Sequence, residues 1–144
     1  MTTVKSIAVY GAGSWGTALA LQLARNGLQV QLWDINPTHV ENLQRERENR
    51  RYLPHISFPP NLCPDADIGA VAASSHYHLI VVPSQGVRAL LKRLQPLLNI
   101  EARVLWASKG IELDTGKLLH EVVLEELPYC QHYGVVSGPT FAAE

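Results

Sequence analysis

The stretch Ser6-Ile7-Ala8-Val9-Tyr10-Gly11-Ala12-Gly13-Ser14-Trp15-Gly16 decides how this chain is read. A short apolar strand runs directly into a complete G-x-G-x-x-G turn that opens a helix. The spacing has a physical cause. Gly11 allows the tight turn, Gly13 lets the backbone approach a pyrophosphate, and Gly16 lets the helix lie close to the sheet. The unpaired N–H groups and positive dipole end of the new helix then face the phosphates.

The flanking residues extend this reading. From Ser14 to Asn26 the chain is helix-compatible, with Trp15, Leu19 and Leu23 spaced on one face, Ala20 and Ala24 beside them, and Asn26-Gly27 as a stop. A second strand, Gln29-Val30-Gln31-Leu32-Trp33, ends in Asp34. An acid at that place, about twenty residues beyond the turn, accepts a hydrogen bond from the adenosine ribose 2'-hydroxyl in dinucleotide sites. A glycine turn with no ligand would not require strand, turn, helix, strand and acid in this order.

Composition narrows the classes. With 144 residues, 47% of them hydrophobic, the chain can bury one core of its own, so one domain is expected. The formal net charge of -1 supplies no footprint for nucleic acid or an anionic membrane. The run Arg45-Glu46-Arg47-Glu48-Asn49-Arg50-Arg51 mixes signs and reads as a solvated helix end, a basic rim for an anionic substrate being the alternative. Cys63 and Cys130 are far apart and form no metal-like pair, so both are expected to be packing residues. There is no signal segment at the amino terminus and no apolar run of membrane-spanning length, so no membrane insertion and a reducing, cytoplasmic setting are expected. His76-Tyr77-His78 precedes a strand without a third ligand nearby, which predicts surface or strand-start histidines and no metal site.

Further along, Pro37 to about Arg47 reads as a helix, and Tyr52 to Leu62 as largely irregular because of its prolines. A short strand is expected at Leu62-Cys63, and Asp65-Ala66-Asp67 is placed to open a helix from Ile68 to Ala73. Three strands follow, Leu79 to Val82, Arg103 to Ala107 and Tyr133 to Val136. Between them, helical patterns cover Gln85 to Leu98, with Val87, Leu90, Leu91, Leu94 and Leu98 inward, and Thr115 to Leu127, with Leu118, Leu119, Val122 and Val123 inward.

Strands alternating with helices predict an α/β fold, a doubly wound, mainly parallel sheet with helices on both faces. Ligands of such sheets sit beyond the carboxyl ends of the strands, where strand order reverses. The glycine turn, Asp34, Pro83-Ser84-Gln85, Ser108-Lys109-Gly110 and Ser137-Gly138-Pro139-Thr140 would share that edge. Lys109 there could attract a substrate phosphate or polarise a carbonyl, an exposed turn lysine being the other reading.

With these residues assembled, the chain closely resembles the amino-terminal, Rossmann-type domain of bacterial NAD(P)-dependent glycerol-3-phosphate dehydrogenases. The resemblance covers essentially the whole chain and rests on Gly11 to Ala20, Phe58-Pro59-Pro60-Asn61-Leu62, Val82-Pro83-Ser84, Ala107-Ser108-Lys109-Gly110-Ile111-Glu112 and Ser137-Gly138-Pro139-Thr140-Phe141-Ala142. It implies reversible hydride transfer between a nicotinamide cofactor and the dihydroxyacetone phosphate/sn-glycerol 3-phosphate pair, which supplies phospholipid synthesis. Carried onto matching positions, it implies that Ser14, Trp15, Lys109 and Ala142 contact the cofactor, and that Lys109, Gly138 and Thr140 contact the small phosphate substrate.

The family also has a helical carboxyl-terminal domain that carries the main catalytic lysine. That domain is expected to lie outside residues 1–144, so no catalytic residue is assigned here and the chain alone is expected to be inert. The full-length enzyme is expected to be a homodimer. After Trp33, many relatives carry a small residue and then a basic one, whereas this chain has Asp34-Ile35-Asn36. A carboxylate repels a 2'-phosphate, which predicts NAD(H) as the preferred cofactor with NADP(H) possible. Two alternatives bear on that preference: Asp34 could cap the following helix, and Arg45 or Arg47 could swing toward a phosphate. Rival readings of the whole chain are a non-catalytic NAD(H)-sensing module and the cofactor domain of a 6-phosphogluconate or 3-hydroxyacyl-CoA type dehydrogenase.

Overall fold

The computed structural model describes residues 3–137. In chain order these form β1 (Ser6–Tyr10), α1 (Ser14–Arg25), β2 (Gln29–Trp33), α2 (Pro37–Glu46), β3 (Glu48–Asn49), β4 (Leu53–Ser57), β5 (Leu62–Pro64), α3 (Ile68–Ala73), β6 (Tyr77–Ile80), α4 (Ser84–Leu94), β7 (Arg103–Trp106), α5 (Leu119–Glu126) and β8 (His132–Val135). Six strands make one sheet in the order β5-β2-β1-β6-β7-β8, every neighbouring pair parallel. Successive residues of β1 serve opposite faces. Ile7 and Val9 pack with Ala20, Leu21 and Ala24 of α1 and Leu43 of α2, whereas Ala8 and Tyr10 join Val71 of α3, Leu91 of α4 and Val123 of α5. Helices therefore cover both faces, which is why the central strands carry almost no polar residue.

The register aligns the strand ends. Trp33, Tyr10, Ile80, Trp106 and Val135 pair in a single row across five strands. The ladder runs one residue further, since the N–H groups of Gly11, Val81, Ala107 and Val136 donate to the carbonyls of Trp33, Tyr10, Ile80 and Trp106. Every loop that leaves this row therefore starts on the same edge. Chain order reverses between β1 and β6, so the switch point lies between the glycine turn and Val81-Val82-Pro83.

Several local expectations are corrected. The buried face of α1 is Gly16, Thr17, Ala20, Leu21 and Ala24, one position on from the Trp15, Leu19 and Leu23 stripe, because small residues let the helix lie close to the sheet. Leu19 and Leu23 fill in at the margin, and Trp15 is 43% exposed. The Tyr52 to Leu62 segment is not mainly irregular: β4 pairs antiparallel with β3. Pro54 is tolerated because a two-stranded ribbon has an outer edge on each strand. The mixed-charge run is likewise no simple helix end, since α2 stops at Arg47 in the left-handed region (φ 54°) and the chain turns into that hairpin. Helix α5 starts only at Leu119, after a segment closed by an Ile111–Leu118 bridge and a Gly116 turn at φ 71°, so Leu118 is exposed. Strand β6 begins at Tyr77, and His78 is therefore a core residue accepting or donating at 2.9 Å with the Tyr10 hydroxyl.

Two loop motifs have structural work. Asn61 donates to the carbonyls of Ala24 and Leu28 at 2.7 and 2.8 Å, satisfying the end of α1, where Gly27 takes φ 91°. Asp67 accepts from the N–H groups of Gly69 and Ala70, as expected of the residue that opens α3. Among the described residues no helix is long and apolar enough to cross a membrane.

Candidate functional site

A cleft of about 600 Å³ opens at the switch point. Its floor is the glycine turn with the start of α1, and one wall is the end of β2 with Asp34 and Ile35. The opposite wall is Val81-Val82-Pro83 with Gly86, Leu90 and Arg93 of α4. Gly11, Gly13, Ser14, Trp15, Gly16 and Asp34, six of the residues singled out in the sequence, all line it.

The three glycines of the turn differ in what demands them. Gly11 takes φ 113°, and a Cβ there would lie 2.9 Å from the Val81 carbonyl carbon and oxygen. A Cβ on Gly16 would lie 1.8 Å from the Gly11 carbonyl oxygen. Both positions are closed by the protein itself. Gly13, with φ -78° and ψ -166°, has an ordinary extended backbone, and a Cβ there would meet nothing within 4 Å. Among the described residues no contact closes that position, which leaves the backbone there open to a ligand. No side chain of the described residues caps α1, which leaves the N–H groups of its first turn to that ligand. The residues present thus fit a dinucleotide.

The turn is held from behind. Asp34 Oδ2 accepts from the Ala12 N–H at 2.9 Å, and Asp34 Oδ1 from the Asn36 N–H at 3.0 Å. The helix cap that Asp34 might have supplied is made by Asn36, whose Oδ1 accepts from the His39 N–H at 3.2 Å. The Ala12 carbonyl meets His39 Nε2 at 2.9 Å and receives Asn49 Nδ2 at 3.0 Å. Asn49, fully buried, also donates to Thr17 Oγ1 at 2.8 Å and accepts from the Tyr52 N–H at 3.1 Å. The β3–β4 hairpin is thereby tied to the glycine turn, and it brings Arg51 and Tyr52 to the cleft.

The sequence singles out none of His39, Tyr52 and Arg93 as a site residue, and Asn49 and Arg51 enter only as members of the mixed-charge run, for which a basic rim is the alternative. Each comes from a helix or hairpin whose docking no local pattern announces. The two arginines named as able to swing toward a phosphate are engaged elsewhere. Arg47 Nη2 donates to the carbonyls of Pro59 and Leu62, both at 2.9 Å, and its guanidinium lies 5.9 Å from the Phe58 ring centroid. Arg45 is bound to Asn42 and Glu46. Neither lines the cleft.

Lys109 follows β7 on the same edge, in an exposed turn beyond the walls of the cleft. That turn is secured on both sides. Ser108 Oγ donates to the Val82 carbonyl, joining it to the loop after β6. On the far side Glu112, a buried residue, receives Arg88 at 2.7 and 2.9 Å and Thr115 Oγ1 at 2.6 Å. Hydrogen bonds from Arg88, and then Thr115, pull the Glu112 carboxyl down to about 2. Gly138, Thr140 and Ala142 lie outside the described residues.

A family model described as NAD-dependent glycerol-3-phosphate dehydrogenase N-terminus matches residues 6–144. The chain belongs to this family. It is 48% identical over 143 residues to glycerol-3-phosphate dehydrogenase [NAD(P)+] of Yersinia pestis, covering 99% of this chain and 42% of that protein. The crystal structure of glycerol-3-phosphate dehydrogenase from Coxiella burnetii superposes with a TM-score of 0.88 at 42% identity, covering 96% of this chain and 42% of that one. The enzyme of Saccharomyces cerevisiae gives 0.82 at 25% identity, over 96% of this chain and 43% of that one. The chain spans under half the length of these relatives. Membership assigns the chain to the amino-terminal domain of NAD-dependent glycerol-3-phosphate dehydrogenases, not to a 6-phosphogluconate or 3-hydroxyacyl-CoA type.

Proposed function

We propose that this chain is the cofactor-binding part of an enzyme that reversibly reduces dihydroxyacetone phosphate to sn-glycerol 3-phosphate for phospholipid synthesis. The observation that carries this reading is the cleft at the switch point, whose floor is the glycine turn with an open backbone at Gly13 and the start of α1. The nicotinamide cofactor supplies the hydride when bound. The chain's own residues do the holding. The turn from Gly11 to Gly16, with Ser14 and Trp15 at the start of α1, cradles the pyrophosphate, and Asp34 offers a remaining lone pair to a ribose hydroxyl. NAD(H) is the preferred cofactor and NADP(H) is accepted. Lys109 brings positive charge toward the substrate phosphate, with Gly138 and Thr140, and Ala142 adds a cofactor contact.

The main catalytic lysine belongs to a helical domain outside residues 1–144, where the relatives have further length and where the homodimer contact also lies. Alone, the chain binds cofactor without turnover. Titration with NADH, followed by the fluorescence of Trp15 and Trp33 at the cleft, is expected to saturate, while dihydroxyacetone phosphate triggers no NADH oxidation. A folded chain whose fluorescence ignores NADH would refute the cofactor reading, and turnover would refute the assignment of the catalytic lysine.

A further inference from the structure

The cleft contains a carboxylate that should disfavour a 2'-phosphate, yet relatives of this chain are named for both NAD+ and NADP+. We propose that Arg51 resolves this conflict by receiving the 2'-phosphate of NADP(H), so that the hairpin and not β2 sets cofactor choice. The proposal rests on the cofactor reading above.

Arg51 has the required chemistry and placement. It lines the cleft on the side of Asn36 and His39, next to the β2 end where the adenosine ribose is read. Its guanidinium lies 5.0 Å from the Tyr52 ring centroid, an aromatic support that orients the planar fork. Tyr52 is in turn held by its N–H bond to Asn49 and by an edge contact to His39 at 5.4 Å between ring centroids. The backbone carrying Arg51 is therefore fixed relative to the glycine turn through Asn49.

Other candidates are committed elsewhere. Arg45 and Arg47 make the contacts described above, and Arg50 pairs with Glu46 and Glu48. Among the described residues Arg51 has no carboxylate within salt-bridge distance, so its charge is not already neutralised. Arg93, the other arginine of the cleft, reaches from α4 to Trp33 at the end of β2, 5.1 Å from its ring centroid, and is the competing candidate that the experiment must separate from Arg51. Both oxygens of Asp34 already accept backbone N–H groups, which holds the carboxylate against the glycine turn. A guanidinium facing a dianionic phosphate makes charge-assisted, bidentate hydrogen bonds that a ribose hydroxyl cannot match.

The experiment measures dissociation constants of NADPH and NADH for the chain and for Arg51→Gln, Arg51→Lys and Arg93→Gln, each checked by circular dichroism. Arg51→Gln is expected to lower the NADPH-to-NADH affinity ratio by about tenfold or more, since a hydrogen bond to a charged group is lost. Arg51→Lys, which keeps charge without the fork, is expected to fall between. Arg93→Gln, also in the cleft, is expected to change the ratio less than Arg51→Gln does. An unchanged ratio in Arg51→Gln, including equal loss of both cofactors, overturns the proposal while NADH binding by the parent chain upholds the cofactor reading. A shift confined to Arg93→Gln places the phosphate at α4 and also overturns it. A parent chain that binds neither cofactor refutes the cofactor reading itself.

Discussion

Gly13 and Gly16 are three positions apart in one turn, and substitution should separate them completely. A Cβ at 13 meets nothing within 4 Å and the backbone is compatible, so Gly13→Val is expected to cost no more than about 1 kcal/mol, for a poorer helix N-cap. The same side chain fills the space a pyrophosphate needs, and NADH affinity is expected to fall at least about tenfold. Gly16→Ala drives a methyl into the Gly11 carbonyl and is expected to destabilise the fold by about 1–3 kcal/mol or more. Urea unfolding and NADH titration of the two variants check both halves. Loss of stability without loss of affinity in Gly13→Val would mean that the turn has a packing role there.

At the scale of elements, the β3–β4 hairpin is the piece that converts a generic nucleotide fold into this particular cleft. One side chain joins it to the turn: Asn49 reaches the Ala12 carbonyl, Thr17 Oγ1 and the Tyr52 N–H together. Asn49→Ala leaves these groups short of partners in a buried place, at a cost of about 1–3 kcal/mol. His39 still holds the Ala12 carbonyl, so α1 is expected to stay docked while the hairpin loosens. Amide hydrogen exchange is the discriminating readout. Protection should fall across residues 48–57 and stay near the parent's in β1 and β6, and uniform loss would show that the hairpin is no separate unit.

For the whole molecule, acid stability draws on His78 in the core and on carboxylates held by hydrogen bonds, Glu112 foremost. Burial first, and the charge of His76 second, press His78 from 6.5 down to about 4. The unfolded chain takes up the proton that the folded core refuses. Stability is therefore complete above pH 6.5 and declines as pH falls toward 4, by up to about 3 kcal/mol. Glu112 acts in a lower window: its contribution is present above 4.5 and fades as pH falls toward 2. Urea midpoints across this range should show the first decline in the parent. In His78→Gln, whose carbonyl can accept from Tyr10 without titrating, that decline should vanish while the lower one remains. A parent midpoint that stays flat between pH 6.5 and 4 would remove His78 from the account.

The sequence by itself determined the order of the six sheet strands and the helices between them, the glycine turn and the edge on which the strand ends gather, because these depend on residues close in the chain. Hydrophobic period and turn chemistry act over a few residues, so β1, α1 and β2, the Asn26-Gly27 stop and the Asp67 cap were all legible. The packed face of α1 was not, since Gly16, Ala20 and Ala24 are selected by closeness to the sheet and carry little hydrophobic signal. Tertiary structure alone decided what surrounds Asp34. Asn49 lies 37 positions from the carbonyl it binds, and a lone asparagine inside a charged run has no local signature. Likewise Arg47 and Arg51 are indistinguishable in a string of alternating charges. One faces the Pro59 and Leu62 carbonyls and the other the cleft, because the left-handed turn at Arg47 sends the chain back as a hairpin across the glycine turn.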